Sequence, residues 1–190
     1  MHTLEHHASR DSIPVLFTQD DWAFTFHKIY ERAITQFERG LRGTDQVVDS
    51  STSPFLASIG MSQQELYDFV EDGVVAGEPT FEEVLRITHL RSQYFLTVQK
   101  AQPSTRRLST DDFPPGQATL GGYRWLPRIL AKANAKLRGE LPSDLMYSCG
   151  NDRAFLQPLG IMPFEFLEKV WQYEGHENQL LEYIKLKQKT

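Results

Sequence analysis

Apolar residues recur every three or four positions along most of this chain, which is the spacing of amphipathic helices. The first such stretch follows Asp20 and Asp21, either of which can cap a helix, and it ends before Gly43. No segment shows sustained alternation of apolar and polar residues, so the sequence predicts an all-α protein. The apolar positions of the first stretch are Trp22, Phe26, Ile29, Tyr30, Ala33, Phe37 and Leu41.

Helix-start signals divide the next stretch into three further helices. Ser53 followed by Pro54 predicts a short helix with proline at its first position. Two capping boxes, in which a Ser or Thr is followed three residues later by Glu, predict the next helix starts at Ser62 and Thr80. A unit of four helices is therefore predicted within residues 20–99.

The second half of the chain repeats the first at an offset of 100 residues, and the alignment needs no gap. The matches fall on apolar positions, glycines and helix starts. Small helical units with one apolar stripe each bury that stripe by packing on one another. The sequence therefore predicts a tandem duplication of a four-helix unit, packed about a pseudo-twofold axis. The identities pair Ile29 with Ile129, Ala33 with Ala133, Phe55-Leu56 with Phe155-Leu156, Gly60 with Gly160, Glu65 with Glu165 and Val70 with Val170.

The second unit shows helix signals in the same order as the first. Pro127 is tolerated in the first turn of its first helix, where the missing N–H has no helical partner. Asp152 can cap a short helix, Pro163 opens the next helix, and a final helix starts near Glu177. The predicted organisation is a flexible tail at residues 1–19, a first helical repeat at 20–99, a proline-rich linker at 100–119 and a second helical repeat at 120–190.

Composition and charge exclude several classes of protein. Hydrophobic residues make up 40% of the 190 residues and charged residues 24%, which excludes a wholly disordered or fibrous chain. The net charge of −5 argues against a nucleic-acid partner. No apolar run approaches the roughly 20 residues that span a bilayer, so no membrane association is predicted. The one cysteine, Cys149, has no partner for an internal disulfide, which favours a cytoplasmic location.

Spaced residues of the second unit form an ordered pattern: Leu120-Gly121-Gly122, Leu126-Pro127-Arg128, Lys132-Ala133, Ala135, Gly139, Tyr147, Cys149, Asp152, Phe155-Leu156 and Leu159-Gly160. Over residues 113–187 the chain resembles a family of small bacterial proteins classed only as a domain of unknown function. That family commonly has an acidic residue where this chain has Ala131, and a proline where it has Gly150. The family has no established activity, so the resemblance implies a fold and a compartment more than a function.

The second unit also carries a candidate site for a small anionic ligand. Arg124, Arg128 and Lys132 recur at a spacing of four, which places three cations on one face of the predicted helix near its N-terminus. Free backbone N–H groups there, reached through Gly121 and Gly122, would add positive potential for a carboxylate or phosphate. The alternative is a solvated basic face in which the two glycines serve only as a turn.

Cys149 and Asp152 complete the set of candidate ligand-binding residues. A cysteine near a helix N-terminus and close to Arg or Lys is able to act as a nucleophile. Local spacing places none of the histidines next to Cys149 as an activating base. A buried, inert thiol is the alternative, and no residue is assigned a catalytic role from the sequence.

No metal and no cofactor is predicted. His2, His6 and His7 have a spacing that suits a metal, but they lie in the predicted tail, and no zinc, calcium or nucleotide motif occurs. The leading hypothesis is a non-enzymatic cytoplasmic module that binds a small anionic metabolite or a protein partner, at the second repeat or in the cleft between repeats. The alternatives are a small-molecule enzyme that uses Cys149, Asp152 and Lys132, and a purely structural or adaptor protein.

Overall fold

The computed structural model describes residues 21–188, and their structure is mostly helical. The predicted tail, including its three histidines, lies outside the described residues. The prediction of a helical protein is confirmed. The helices are α1 (Asp21–Glu38), α2 (Thr44–Val47), α3 (Ser53–Ser58), α4 (Gln63–Ala76), α5 (Phe81–Thr97), α6 (Leu126–Arg138), α7 (Gly150–Leu156), α8 (Pro163–Gln172) and α9 (Glu177–Lys187). Short 3-10 turns occupy Ser50–Thr52, Thr110–Asp112 and Gln157–Leu159.

The predicted capping boxes are present and fix where two of the long helices begin. Ser62 accepts a hydrogen bond from the Glu65 backbone N–H at 3.1 Å, and the Glu65 carboxylate accepts from the Ser62 N–H at 2.8 Å. Thr80 and Glu83 form the same reciprocal pair at the start of α5. Because these contacts are local, the sequence alone is enough to place both helix starts.

A short β-hairpin precedes α6 and was not predicted. Strand β1 (Thr119–Leu120) pairs antiparallel with β2 (Tyr123–Arg124). Gly121 and Gly122 form the connecting turn with φ values of 59° and 88°, a conformation that two consecutive glycines adopt without strain. The hairpin corrects the expected helix geometry: Arg124 lies in β2 and not on the helix face that carries Arg128 and Lys132. Two-residue strands are too short to show alternation, which is why the sequence pattern missed them.

One apolar core runs through both halves of the chain. Helix α1 packs on α4 in the first half, and α6 packs on α8 in the second. Helix α5 joins the halves because it packs on both α6 and α8. At this junction Tyr94 meets Trp171 edge-on, with ring centroids 5.5 Å apart.

The segment at 100–119, predicted as a linker, lies against the second half. Phe113 is buried, Ser104 donates a hydrogen bond to Glu140 at 2.7 Å, and the Pro114 carbonyl accepts one from Arg128 at 2.8 Å. These contacts place the segment beside α6. Within residues 21–188, no helix combines the length and the apolar character needed to cross a membrane.

Candidate functional site

The centre of the candidate site is a buried lysine. Lys132 on α6 is only 1% exposed, and its ammonium group forms an ion pair with the Asp152 carboxylate. The same Nζ atom lies 3.2 Å from the Sγ atom of Cys149 and donates a hydrogen bond to it. Three residues that the sequence separates by up to 20 positions are therefore brought into one cluster, which we call the Lys132 cluster.

Asp152 is fully buried and accepts hydrogen bonds from three directions. Besides Lys132, Trp125 Nε1 donates to it at 2.9 Å and the Ser148 backbone N–H at 3.0 Å. The expectation that Asp152 caps α7 is wrong in detail, since Cys149 occupies the capping position and Asp152 is the third residue of the helix. Its carboxylate turns back into the protein instead, where it meets the buried ammonium.

The backbone beside Asp152 is strained at two points. Trp125 has φ of 75° and Ser148 has φ of 69°, in the left-handed region that non-glycine residues rarely adopt. Each such residue costs about 1–3 kcal/mol. Both residues direct a hydrogen-bond donor at the same carboxylate, so these hydrogen bonds offset part of the cost of the left-handed backbone.

The side chain of Tyr147 anchors the loop before α7 to the start of α8. This side chain is buried, and its hydroxyl donates to the Pro163 carbonyl at 2.7 Å. Burial, together with the nearby charge of Asp152, raises the pKa of Tyr147 well above its ordinary value, so the phenol stays protonated as a donor. In the same loop, the side chain of Cys149 is partly exposed. The Ser148 hydroxyl is buried without a hydrogen-bond partner among the described residues.

The remaining predicted residues lie outside the Lys132 cluster. Arg128 donates to the Pro114 carbonyl at 2.8 Å and lies over the Trp125 ring at 5.8 Å. Arg124 is exposed on β2. Gly121 packs closely against Leu181, whereas a side chain at Gly122 would meet open space. The predicted row of three cations is thus divided, with Lys132 already paired inside the protein.

A second lysine on α6, one turn further along, is also buried and was not singled out from the sequence. Lys136 is 2% exposed, and its Nζ lies 2.8 Å from the Glu65 carboxylate. Although burial opposes ionisation of Glu65, the charge of Lys136 and the hydrogen bond it donates hold the pKa of that carboxyl below its usual value. This ion pair joins α6 to α4 and so crosses between the halves.

Sequence reasoning missed Trp125 and Ser148, and it noted Tyr147 only as part of the family pattern. A left-handed φ at a tryptophan or serine has no sequence signature, and neither does a hydrogen bond across 27 positions. Within the described part of the chain, no group of three or more His, Cys, Asp or Glu side chains is arranged to hold a metal ion.

Comparison with known proteins gives a match between the second half of the chain and a family model. Residues 115–190 match the family model described as Domain of unknown function (DUF5069). This confirms the resemblance found in the sequence, and the matched segment contains the hairpin and the whole Lys132 cluster. No curated protein and no solved structure matches the chain.

Proposed function

We propose that Cys149 is a nucleophilic thiol that acts on a small electrophilic substrate. Lys132 is its hydrogen-bond partner, and Asp152 holds Lys132 in position. The observation that carries this proposal is the position of Lys132 Nζ, which contacts the carboxylate and lies 3.2 Å from the sulfur. A nucleophile, a polar partner and a third group that orients the partner are the parts of a covalent catalytic site.

Each residue of the Lys132 cluster has a separate role in this proposal. A cationic donor beside sulfur favours the thiolate, which is the reactive form of cysteine. The sulfur forms a bond to the electrophilic carbon, and the leaving group departs with its bonding electron pair. The Lys132 ammonium supplies a proton to that group, and Asp152 holds the lysine in position beside the sulfur. A single reactive thiol needs a reducing compartment, so we propose the cytoplasm as its location.

Stability alone gives a poor account of this cluster. A buried ion pair contributes little more than apolar side chains of the same volume and often less. Left-handed backbone at Trp125 and Ser148 adds a further energetic penalty. Strained, buried polar groups beside a partly exposed thiol are typical of sites that a reaction requires, and this supports the proposal.

Alkylation by iodoacetamide tests the proposal directly, because the chain has one cysteine and intact mass reports its reaction. We expect the folded protein to react faster than the same protein unfolded in urea and faster than N-acetylcysteine. Cys149→Ser, which should take up no label, confirms the site. Slower reaction of the folded protein than of the unfolded chain would identify Cys149 as a shielded, inert thiol and would refute the proposal.

A binding role for the hairpin is a second candidate function. Arg124 is exposed, and the adjacent Gly122 faces open space, so a small anion or an acidic partner surface has access to both. Within residues 21–188, this is the part of the predicted anion site that has no hydrogen-bond or ion-pair partner already in place. Thermal stabilisation by inorganic phosphate, lost in Arg124→Gln and kept in Cys149→Ser, would separate this role from thiol chemistry.

We further propose that the two halves descend from a duplicated four-helix unit, although the described part of the first half has five helices because it also contains the single-turn helix α2. Equivalent helix ends support this: α1 ends at Glu38 and α6 at Arg138, while α4 begins at Gln63 and α8 at Pro163. The turns before α4 and α8 contain Gly60 (φ 73°) and Gly160 (φ 64°). Buried positions also correspond at the offset of 100: Phe26 with Leu126, Ala33 with Ala133, Phe37 with Leu137, Leu56 with Leu156, Ile59 with Leu159, Leu66 with Phe166 and Val70 with Val170.

We also propose that the two halves pack about a pseudo-twofold axis, and the contacts between helices bear on this proposal. The α1–α4 contact corresponds to the α6–α8 contact, as a duplication requires. Helix α5 is longer than α9 and packs on the second half, so the two final helices differ in extent. A crystal structure tests both proposals. Superposition of 20–87 on 120–187 by a rotation near 180° would support them, and failure of the two segments to superimpose would refute them.

A further inference from the structure

A third buried cation, Arg91 on α5, has no carboxylate at ion-pair distance among the described residues. The residue is 3% exposed. Its Nη1 atom donates to the Gln99 side chain at 2.8 Å. Its Nε–H is buried and has no hydrogen-bond partner among residues 21–188. A buried N–H of a charged group that makes no hydrogen bond lowers the stability of the folded protein. A ligand that accepts a hydrogen bond from this guanidinium would remove that penalty.

Arg91 lines a cavity of about 240 Å³ between the two halves of the chain. The turn at Gly60 contributes one wall and Gly139, which ends α6, contributes another. A side-chain carbon at Gly139 would lie 2.5 Å from Arg91 Nη2, and one at Gly60 would lie 3.1 Å from Cζ. The guanidinium therefore lies close to both glycines, and a side chain at Gly139 would displace it.

Four charged groups lie in or near the cavity, namely Arg91, Lys136, Glu65 and Glu140. Glu65 also lines the wall, but Lys136 already neutralises it and its second oxygen accepts from the Ser62 N–H. Arginine stays protonated in proteins, so Arg91 carries a positive charge. Glu65 and Glu140 are close enough to act on this charge, but neither forms an ion pair with it, and Glu140 accepts a hydrogen bond from Ser104. A phosphate dianion would need more positive charge than this wall provides. A carboxylate matches both the charge and the flat, two-oxygen geometry that a guanidinium recognises.

The rest of the cavity indicates the kind of carboxylate. Phe95, Pro103 and Leu141 give it apolar walls, and Ser62 and Ser104 add hydroxyls. Its volume is below the roughly 300–1,000 Å³ of sites for drug-sized ligands. We propose that this cavity binds a small monocarboxylate with an apolar body, whose carboxylate accepts hydrogen bonds from Arg91. The inference is independent of the proposed thiol function, since Arg91 lies outside the Lys132 cluster and outside the segment matched by the family.

Nuclear magnetic resonance tests the proposal, because the Nε–H group of a buried arginine gives its own ¹H–¹⁵N signal. The full chain is titrated with benzoate and, at matched ionic strength, with uncharged benzamide. We expect benzoate to shift the Arg91 Nε–H signal in a saturable manner and benzamide to leave it in place. Equal shifts with both compounds, or no shift with benzoate, acetate or butyrate, would overturn the proposal.

Two variants and one control identify the site. Arg91→Lys keeps the charge but loses the paired donors, and we expect it to weaken benzoate binding about tenfold. Ala57→Trp enlarges an exposed residue at the cavity wall and is expected to weaken binding without removing a core side chain. Arg86→Lys, on the same helix but outside the cavity, is the matched control. Unchanged binding in folded Ala57→Trp would place the benzoate elsewhere and refute the site.

Discussion

Two lysines one turn apart on α6 are both buried in ion pairs, yet their surroundings differ. Lys132 pairs with Asp152 inside the second half and also contacts the sulfur of Cys149. Lys136 pairs with Glu65 of the first half, lies 5.0 Å from the Phe69 ring, and forms no hydrogen bond to a cysteine within the described residues. The first ion pair therefore lies beside a thiol, whereas the second connects the two halves of the chain.

The acidic partners differ as much as the lysines do. Asp152 is fully buried and depends on protein donors for all its hydrogen bonds. Glu65 keeps 17% of its side chain exposed and also caps the start of α4. Solvent therefore compensates a broken Lys136–Glu65 pair more readily than a broken Lys132–Asp152 pair. The two sites therefore differ in how deeply the carboxylate is buried and in which other groups contact the ion pair, and both contain the same kind of ion pair.

The largest expected effect comes from Asp152→Asn. It leaves the Lys132 ammonium buried without a counter-charge, and we expect the free energy of unfolding in urea to fall by about 3–5 kcal/mol. The double variant Lys132→Met with Asp152→Leu removes both charges and should recover most of that loss. A double variant as unstable as Asp152→Asn would contradict the view that the unpaired charge is the cause.

A smaller effect is expected from Lys136→Met. Glu65 then loses its ion pair but keeps contact with solvent and with the Ser62 N–H, so we expect a loss of about 2 kcal/mol. Urea unfolding under the same conditions measures it. A loss as large as that of Asp152→Asn would show that the two sites are equally intolerant of a missing charge, and the comparison would fail.

The smallest effect concerns Asp68, another carboxyl near Lys136. Burial raises its pKa to about 6 from the ordinary value of 3.8. The folded state therefore binds this proton more tightly than the unfolded state, so its contribution to stability is present below 3.8 and is lost as pH rises through 6. Asp68→Asn should gain about 1 kcal/mol over the native protein at pH 7 after allowance for solvent screening, and almost nothing near pH 4. Unfolding curves that show the same gain at both pH values would be inconsistent with this titration.

Sequence patterns predict the features that depend on local contacts. The capping boxes at Ser62 and Thr80 and the proline start at Pro163 all place helices correctly, because each signal and its partner lie within one turn. The pattern also drew attention to Lys132, Cys149 and Asp152 as members of one candidate site. Their contact was not predictable, since it requires α6 and the loop before α7 to approach in space.

The features that sequence reasoning missed depend on burial and on backbone strain. Lysine and arginine are seldom fully buried, so nothing in the sequence distinguishes Lys136 or Arg91 from surface cations. Trp125 and Ser148 adopt left-handed backbone that the surrounding structure imposes. Arg124 was assigned to a helix because its spacing fits one, but the glycine pair before it forms a hairpin turn instead.

The central claim is that Lys132, and not a general basic environment on α6, sustains the reactivity of Cys149. Its most direct test is the rate of Cys149 alkylation in two folded variants that carry the same substitution, Lys132→Met and Lys136→Met. We expect the first to react about tenfold more slowly than the native protein and the second to react at the native rate. Equal rates in the two variants would contradict the account.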